Sequence, residues 1–169
     1  MAVEVKSRFD RLAERLELKA FGMIYGSITV LATVLAFGHS AEDPVRTALI
    51  LFGSVLAMTL AKAFAQVSSD AVRDRRRPGR ADFRQAWHHT APTLAAANVP
   101  ALMIAGAATG LYDIHRALVL SQLYAIVVLV LFGYSIGWVI YRRVWPAALN
   151  GAFTGAIGLG LALLKYVMH

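Results

Sequence analysis

Apolar residues fill five long runs of this chain, and charged residues gather at the joints between them. Residues 21–38, 47–61, 91–112, 117–141 and 144–164 contain no Asp, Glu, Lys or Arg. Lys62 interrupts the second run, which then continues to Val67. A bilayer's hydrocarbon core is about 30 Å thick, and a helix needs roughly 20 apolar residues to cross it. The pattern predicts an all-α, polytopic membrane protein with five spans at about 21–38, 45–67, 91–112, 117–141 and 146–167. These spans use most of the chain and leave no room for a separate soluble domain.

The joints carry their own signals. In residues 1–20, Val5, Phe9, Leu12 and Leu16 recur at helical spacing among charged residues. That pattern predicts an amphipathic segment lying along the interface before the first span. Pro78 and Gly79 in "RDRRRPGR" predict the end of the second helix. "ADFRQAWHH" places Phe83 and Trp87 at i, i+4 and predicts a second interfacial helix. Trp87, Trp138, Tyr141 and Trp145 mark one membrane boundary, and Tyr112 and Tyr166 the other. Pro100, in "NVPAL", has no amide hydrogen to give the Ala96 carbonyl, so a helix break is expected there. Transporters hold substrate at such interruptions, although membrane helices also carry proline without that role.

Charge adds orientation. The chain is 16% charged, against about 25% in soluble domains. Lys6, Arg8, Arg11, Arg15 and Lys19 precede the first span; Arg73, Arg75, Arg76, Arg77, Arg80 and Arg84 follow the second; Arg142 and Arg143 follow the fourth. The opposite joints hold Arg46 and Arg116 beside acidic residues. Cations near span ends stay in the cytoplasm, so the amino terminus is expected inside and the carboxyl terminus outside. This alternation accounts for the net charge of +7 without nucleic acid. Arg73, Arg75, Arg76, Arg77 and Arg80 are candidate docking residues for anionic lipid, at about 1 kcal/mol per cation, or for a protein partner. Usage rich in Ala, Arg and Gly with little Lys points to a GC-rich bacterial genome, so the expected location of the spans is a bacterial inner membrane. The mixed charges of the first 20 residues do not resemble a signal peptide.

Inside a bilayer, small residues allow the close backbone approach that holds helices together. GxxxG pairs occur at Gly22–Gly26, Gly106–Gly110, Gly133–Gly137 and Gly151–Gly155. Further stripes are Gly53, Ala57, Ala61, Ala65 and Ala148, Ala152, Ala156, Gly160. They predict a compact bundle, with one stripe serving a homodimer. Ser27, Lys62, Asn98 and Asn150 share a depth and form a candidate path for a small neutral or anionic solute. Lys62 has two readings: its long stem snorkels to the headgroups, or it faces the bundle centre if the neighbouring alanine stripe packs inward. No span contains Asp or Glu, and there is no cysteine, Ser–His–Asp grouping or phosphate-binding glycine loop. No catalytic site, metal site or cofactor is expected.

"MIYGSITVLATVLAF" and "LAMTLAKAFAQVSSDAVRDR", with five spans and a basic link after the second, resemble the vacuolar iron transporter family. The resemblance implies a five-span fold and a dimer. Family members bind ferrous or manganese ions through an aspartate–glycine pair in the first span, and a methionine and acidic residues in the second. Here Met58 matches the methionine, Ser27-Ile28 stands at the first-span position, and Lys62 lies where a carboxylate is expected. The resemblance therefore does not imply metal transport. The first reading is a transporter-like bundle. The alternative is a non-transporting subunit that docks a partner or anionic lipid through its arginine loop, and divalent metal transport of the vacuolar iron transporter type ranks last.

Overall fold

The computed structural model describes the backbone of residues 8–37 and 41–168, and the side chains of Leu16, 19–37 and 41–163. It is an all-α membrane protein. The five long helices are α1 (Arg8–Phe37), α2 (Pro44–Asp74), α3 (Arg80–Gly106), α4 (Ile114–Tyr141) and α5 (Val144–Met168). All five are long and apolar enough to cross a membrane. At 1.5 Å per residue, the shortest is roughly 38 Å long and the longest roughly 46 Å. Each therefore outreaches the hydrocarbon core, and its ends lie among headgroups.

Helix starts follow from short side chains. The Asp43 carboxylate accepts from the Val45 and Arg46 amides at 2.9 and 3.2 Å, with Pro44 in the first turn of α2. Asp113 accepts from the His115 amide at 3.0 Å and starts α4. The α2 and α4 ends have an unusual common feature. Arg75 and Arg142 both adopt left-handed backbone, each with φ of 51°. Glycine fills this position at lower conformational cost; arginine instead places a cation at the negative end of the helix dipole.

Two predicted joints are absent. The amphipathic segment and the first span are one helix, because nothing between Arg8 and Phe37 interrupts the backbone ladder. The part of that segment before Arg8 lies outside the described residues. The predicted second interfacial helix is likewise the first part of α3, which runs unbroken through Pro92 and Pro100. Pro100 is therefore not a helix break. It lies fully buried in a helix that touches α1, α2 and α4, and this packing supports the turn that lacks its donor. The third span also ends early: α3 stops at Gly106, a 3-10 turn covers Ala107–Thr109, and Gly110 closes it at φ 77°.

The helices alternate in direction. Gly22 of α1 faces Pro92 and Gly26 faces Thr93 and Ala96 of α3, so these two helices run parallel, whereas Gly133 faces Thr154 and Gly137 faces Ala147, so α4 and α5 run antiparallel. Lys62 of α2 meets Tyr25 of α1, and short links join the successive spans. The α2–α3 and α4–α5 links therefore lie at one end of the bundle, which is rich in arginine. The core joins Val30, Leu31 and Val34 of α1 to Leu51, Ile104 and Leu129 of the neighbouring helices. α1 and α3 are the most enclosed spans, with 44% and 39% of their apolar windows buried; α5 is the least, at 22%.

Glycine sets the closest approaches. A Cβ on Gly26 would lie 2.5 Å from the Thr93 carbonyl oxygen, so α1 and α3 touch backbone to backbone there. Gly133 and Gly137 of α4 face Thr154, Asn150 and Ala147 of α5, while Gly151 and Gly155 face Val130 and Tyr134. These two GxxxG pairs oppose one another and account for the extensive α4–α5 interface. The stripes of α2 and α5 behave differently. Gly53, Ala57, Ala61 and Ala65 are exposed, as are Ala148, Ala152, Ala156 and Gly160. They face outward from the bundle.

Candidate functional site

Lys62 lies one turn before Gln66 on the late part of α2, and its stem reaches across to α1. Its ammonium sits 3.5 Å from the ring centre of Tyr25 and 4.4 Å from that of Phe21. The two rings are stacked at i, i+4 on one face of α1, with centroids 6.2 Å apart. The nitrogen is covered and makes no hydrogen bond with any described residue. Lys62 therefore neither snorkels into water nor points to a central path. It joins two helices that otherwise make little contact, and ring quadrupoles supply the attraction that a counter-ion would. The inward-stripe premise fails because Ala57, Ala61 and Ala65 face outward.

The other three candidate path residues are dispersed. Ser27 is buried on α1 with its hydroxyl unpartnered, as is Thr93 on α3. Most other span hydroxyls bond the carbonyl one turn earlier, as Thr59 does with Val55 at 2.7 Å. Asn150 ties α5 to α4 by donating from its amide to the Gly133 carbonyl at 2.7 Å. Asn98 is exposed and lines an open groove of about 390 Å³ between α2 and α3. None of the other three lines that groove. Ser121 donates to the Pro100 carbonyl at 3.3 Å and to that of Ala117 at 2.8 Å, so this hydroxyl fastens α4 to α3.

The α2–α3 link does gather its charges. Arg76 pairs with Asp82, one N–H donating to Oδ2 at 2.8 Å and a second to Oδ1. Asp82 Oδ2 also accepts from the Gly79 amide at 2.7 Å. One carboxylate thus fixes the start of α3 and the arginine that follows α2. Hydrogen bonding to Asp82 holds the Arg76 guanidinium above its already high ordinary range. Arg73 pairs with Asp70 at 3.5 Å and Asp74 at 3.4 Å.

Arg75, Arg77, Arg80 and Arg84 are exposed and form no ion pair with any described residue. No family model, curated protein or solved structure matches this chain. The resemblance to the vacuolar iron transporter family therefore rests on the quoted segments alone. Within the arginine group, the structure separates internally engaged residues from those able to receive an anion. Sequence spacing gave no way to rank them, since Asp82 lies six residues after Arg76, across a proline and a glycine. Phe83 and Trp87, both exposed, follow Arg80 and Arg84 by three residues on α3. This brings aromatic and cationic groups into one headgroup-depth band.

Proposed function

We propose that this chain is a non-transporting membrane subunit that presents a cationic docking surface to anionic groups. The arrangement that carries the reading is four exposed arginines, Arg75, Arg77, Arg80 and Arg84, with no ion pair among the described residues, around a link fixed by Arg76 and Asp82. A guanidinium engaged internally has few donors to offer, whereas an exposed and unpaired one keeps its fork for a phosphate or carboxylate. The dispersal of Ser27, Lys62, Asn98 and Asn150 to separate places in the bundle, with none of the other three lining the groove of Asn98, supports docking over solute transport. Cation asymmetry supports an orientation with the arginine-rich end and amino terminus in the cytoplasm, in a bacterial inner membrane.

The test compares the purified chain in nanodiscs of neutral lipid with and without an anionic phospholipid, alongside capture of acidic protein by the same discs. Replacing Arg75, Arg77 and Arg80 with Gln should reduce enrichment of anionic lipid, or capture of acidic protein, by tenfold or more. That follows from about 1 kcal/mol per cation. Arg73→Gln, which removes an internally paired arginine, should cost less than threefold. Loss of lipid enrichment alone identifies phospholipid as the anion, and loss of capture alone identifies a protein. Equal losses from Arg73→Gln and the triple variant, or no loss from either, would defeat the proposal.

A further inference from the structure

Asn98 is a polar residue in the wrong place for a chain that ends at its own surface. It is exposed on α3, and its amide makes no hydrogen bond with any described residue. Thr109, where the 3-10 turn ends, lies eleven residues further on (109 − 98), which is about 16 Å along a helix. In the other direction the nearest cation on α3 is Arg84, fourteen residues away (98 − 84) and roughly 21 Å distant. Asn98 therefore stands near mid-bilayer, deeper than Lys62. The ring partners of Lys62, Phe21 and Tyr25, flank the Gly22 that faces Pro92, so the depth expected to be shared by Lys62 and Asn98 is not shared. An amide without a partner at mid-bilayer costs several kcal/mol. Phospholipids carry their carbonyls and phosphates at the boundaries, beyond the reach of so short a side chain.

The polar groups available at this depth belong to other protein chains. Asparagine has one acceptor oxygen and two amide donors on a single group, so it complements itself. Two copies related by a two-fold axis bring the same residue together, as an isologous interface requires. The surrounding shape suits such an arrangement. The groove floor is shallow because Ala48, Ala101 and Ala105 are small, and Leu102 and Leu49 stand beside it, 71% and 67% exposed. A leucine from one copy matches the hollow of the other.

We infer that two copies of this chain associate through α3, with the Asn98 amides hydrogen-bonded to each other across a two-fold axis and Leu102 of each copy seated in the α2–α3 groove of the other. The interface is distinct from the outward small-residue stripes of α2 and α5, which hold no polar group in need of a partner at this depth. The inference is independent of the arginine surface.

The chain has no cysteine, so a single introduced thiol reports one position. Leu102→Cys, expressed together with a second copy carrying Ala105→Cys in the groove that Leu102 enters, leaves Asn98 intact and should cross-link to a mixed dimer under mild oxidation in native membranes. Ala61→Cys and Ala152→Cys, on the two small-residue stripes, should remain monomeric. Adding Asn98→Val to Leu102→Cys should lower the dimer fraction about five- to tenfold through loss of the paired hydrogen bonds. Both residues face outward, so the monomer fold does not depend on them, and unchanged helicity of the double variant checks this. Cross-linking at Ala61 or Ala152 in place of Leu102 would overturn the inference. So would a dimer insensitive to Asn98→Val, or native mass spectra showing a monomer with a small amphiphile in the groove.

Discussion

At Lys62 a charge sits in the boundary layer of a membrane with no acidic partner among the described side chains, and the magnitudes explain how. A lysine at the centre of a membrane helix costs about 2.5–3.5 kcal/mol on insertion scales, and less toward the boundary. Each ring face returns roughly 0.5–2 kcal/mol, the larger values applying where water is excluded. Two faces thus offset most of the cost. Methionine has nearly the same length, needs no counter-charge and makes its own contacts with ring edges. Lys62→Met should therefore shift unfolding in mild detergent by no more than about 1 kcal/mol. Lys62→Glu would point a carboxylate at the electron-rich ring faces and should destabilise by about 3 kcal/mol or more. Thermal unfolding followed by circular dichroism measures both, and equal losses would show that the ring contact is not what holds α1 to α2. The depth of Lys62 was legible in the sequence, whereas its partners were not. They depend on which way the face of α2 turns, and a helix with small residues on one side and large apolar residues on the other can present either to lipid.

Among the elements, the charge-free runs located all five helices, because hydrocarbon thickness sets a length that composition must meet. The joints were harder to read. Phe83 and Trp87 suggested a separate interfacial helix, yet Pro92 did not stop α3 and the ladder continued. Prolines are tolerated where neighbouring helices support the backbone, and sequence alone does not show the neighbours. Glycines were legible as small and ambiguous in their use. Gly110 ends a helix at φ 77°, whereas Gly26 admits a neighbouring backbone. The contrast predicts opposite outcomes for one chemical change. Gly26→Ala would drive a methyl into Thr93 and Ala96 and should cost about 1–3 kcal/mol by overpacking. Gly53→Ala has no atom within 4 Å of the added methyl and should gain up to about 1 kcal/mol of helix propensity. Paired unfolding curves in the same detergent check both signs, and a loss at Gly53 would reveal a neighbour that the single chain lacks.

Across the whole molecule, interior packing and charge placement are independent constraints that agree. α1, α3 and α4 form the middle of the bundle; α2 lies mainly against α3, and α5 against α4. The peripheral helices consequently turn their surplus small residues to the lipid. The bundle's two ends differ in charge, because arginines end both α2 and α4 while Asp43 and Asp113 begin α2 and α4 at the opposite end. A chain with this asymmetry has a preferred direction of insertion, since moving a cluster of cations across a bilayer opposes the bias that sets topology. A fluorescent reporter at the amino terminus should therefore fold in the cytoplasm. A periplasmic phosphatase should be active when fused after residue 168 and inactive when fused after Arg77 or Arg143. Replacing Arg73, Arg75, Arg77, Arg80 and Arg84 together with Gln should produce a measurable fraction of inverted molecules, because that joint supplies the largest share of the bias. Phosphatase activity at both Arg77 and the carboxyl-terminal fusion would mean that not all three helices between them cross, and the cationic surface would lose its compartment.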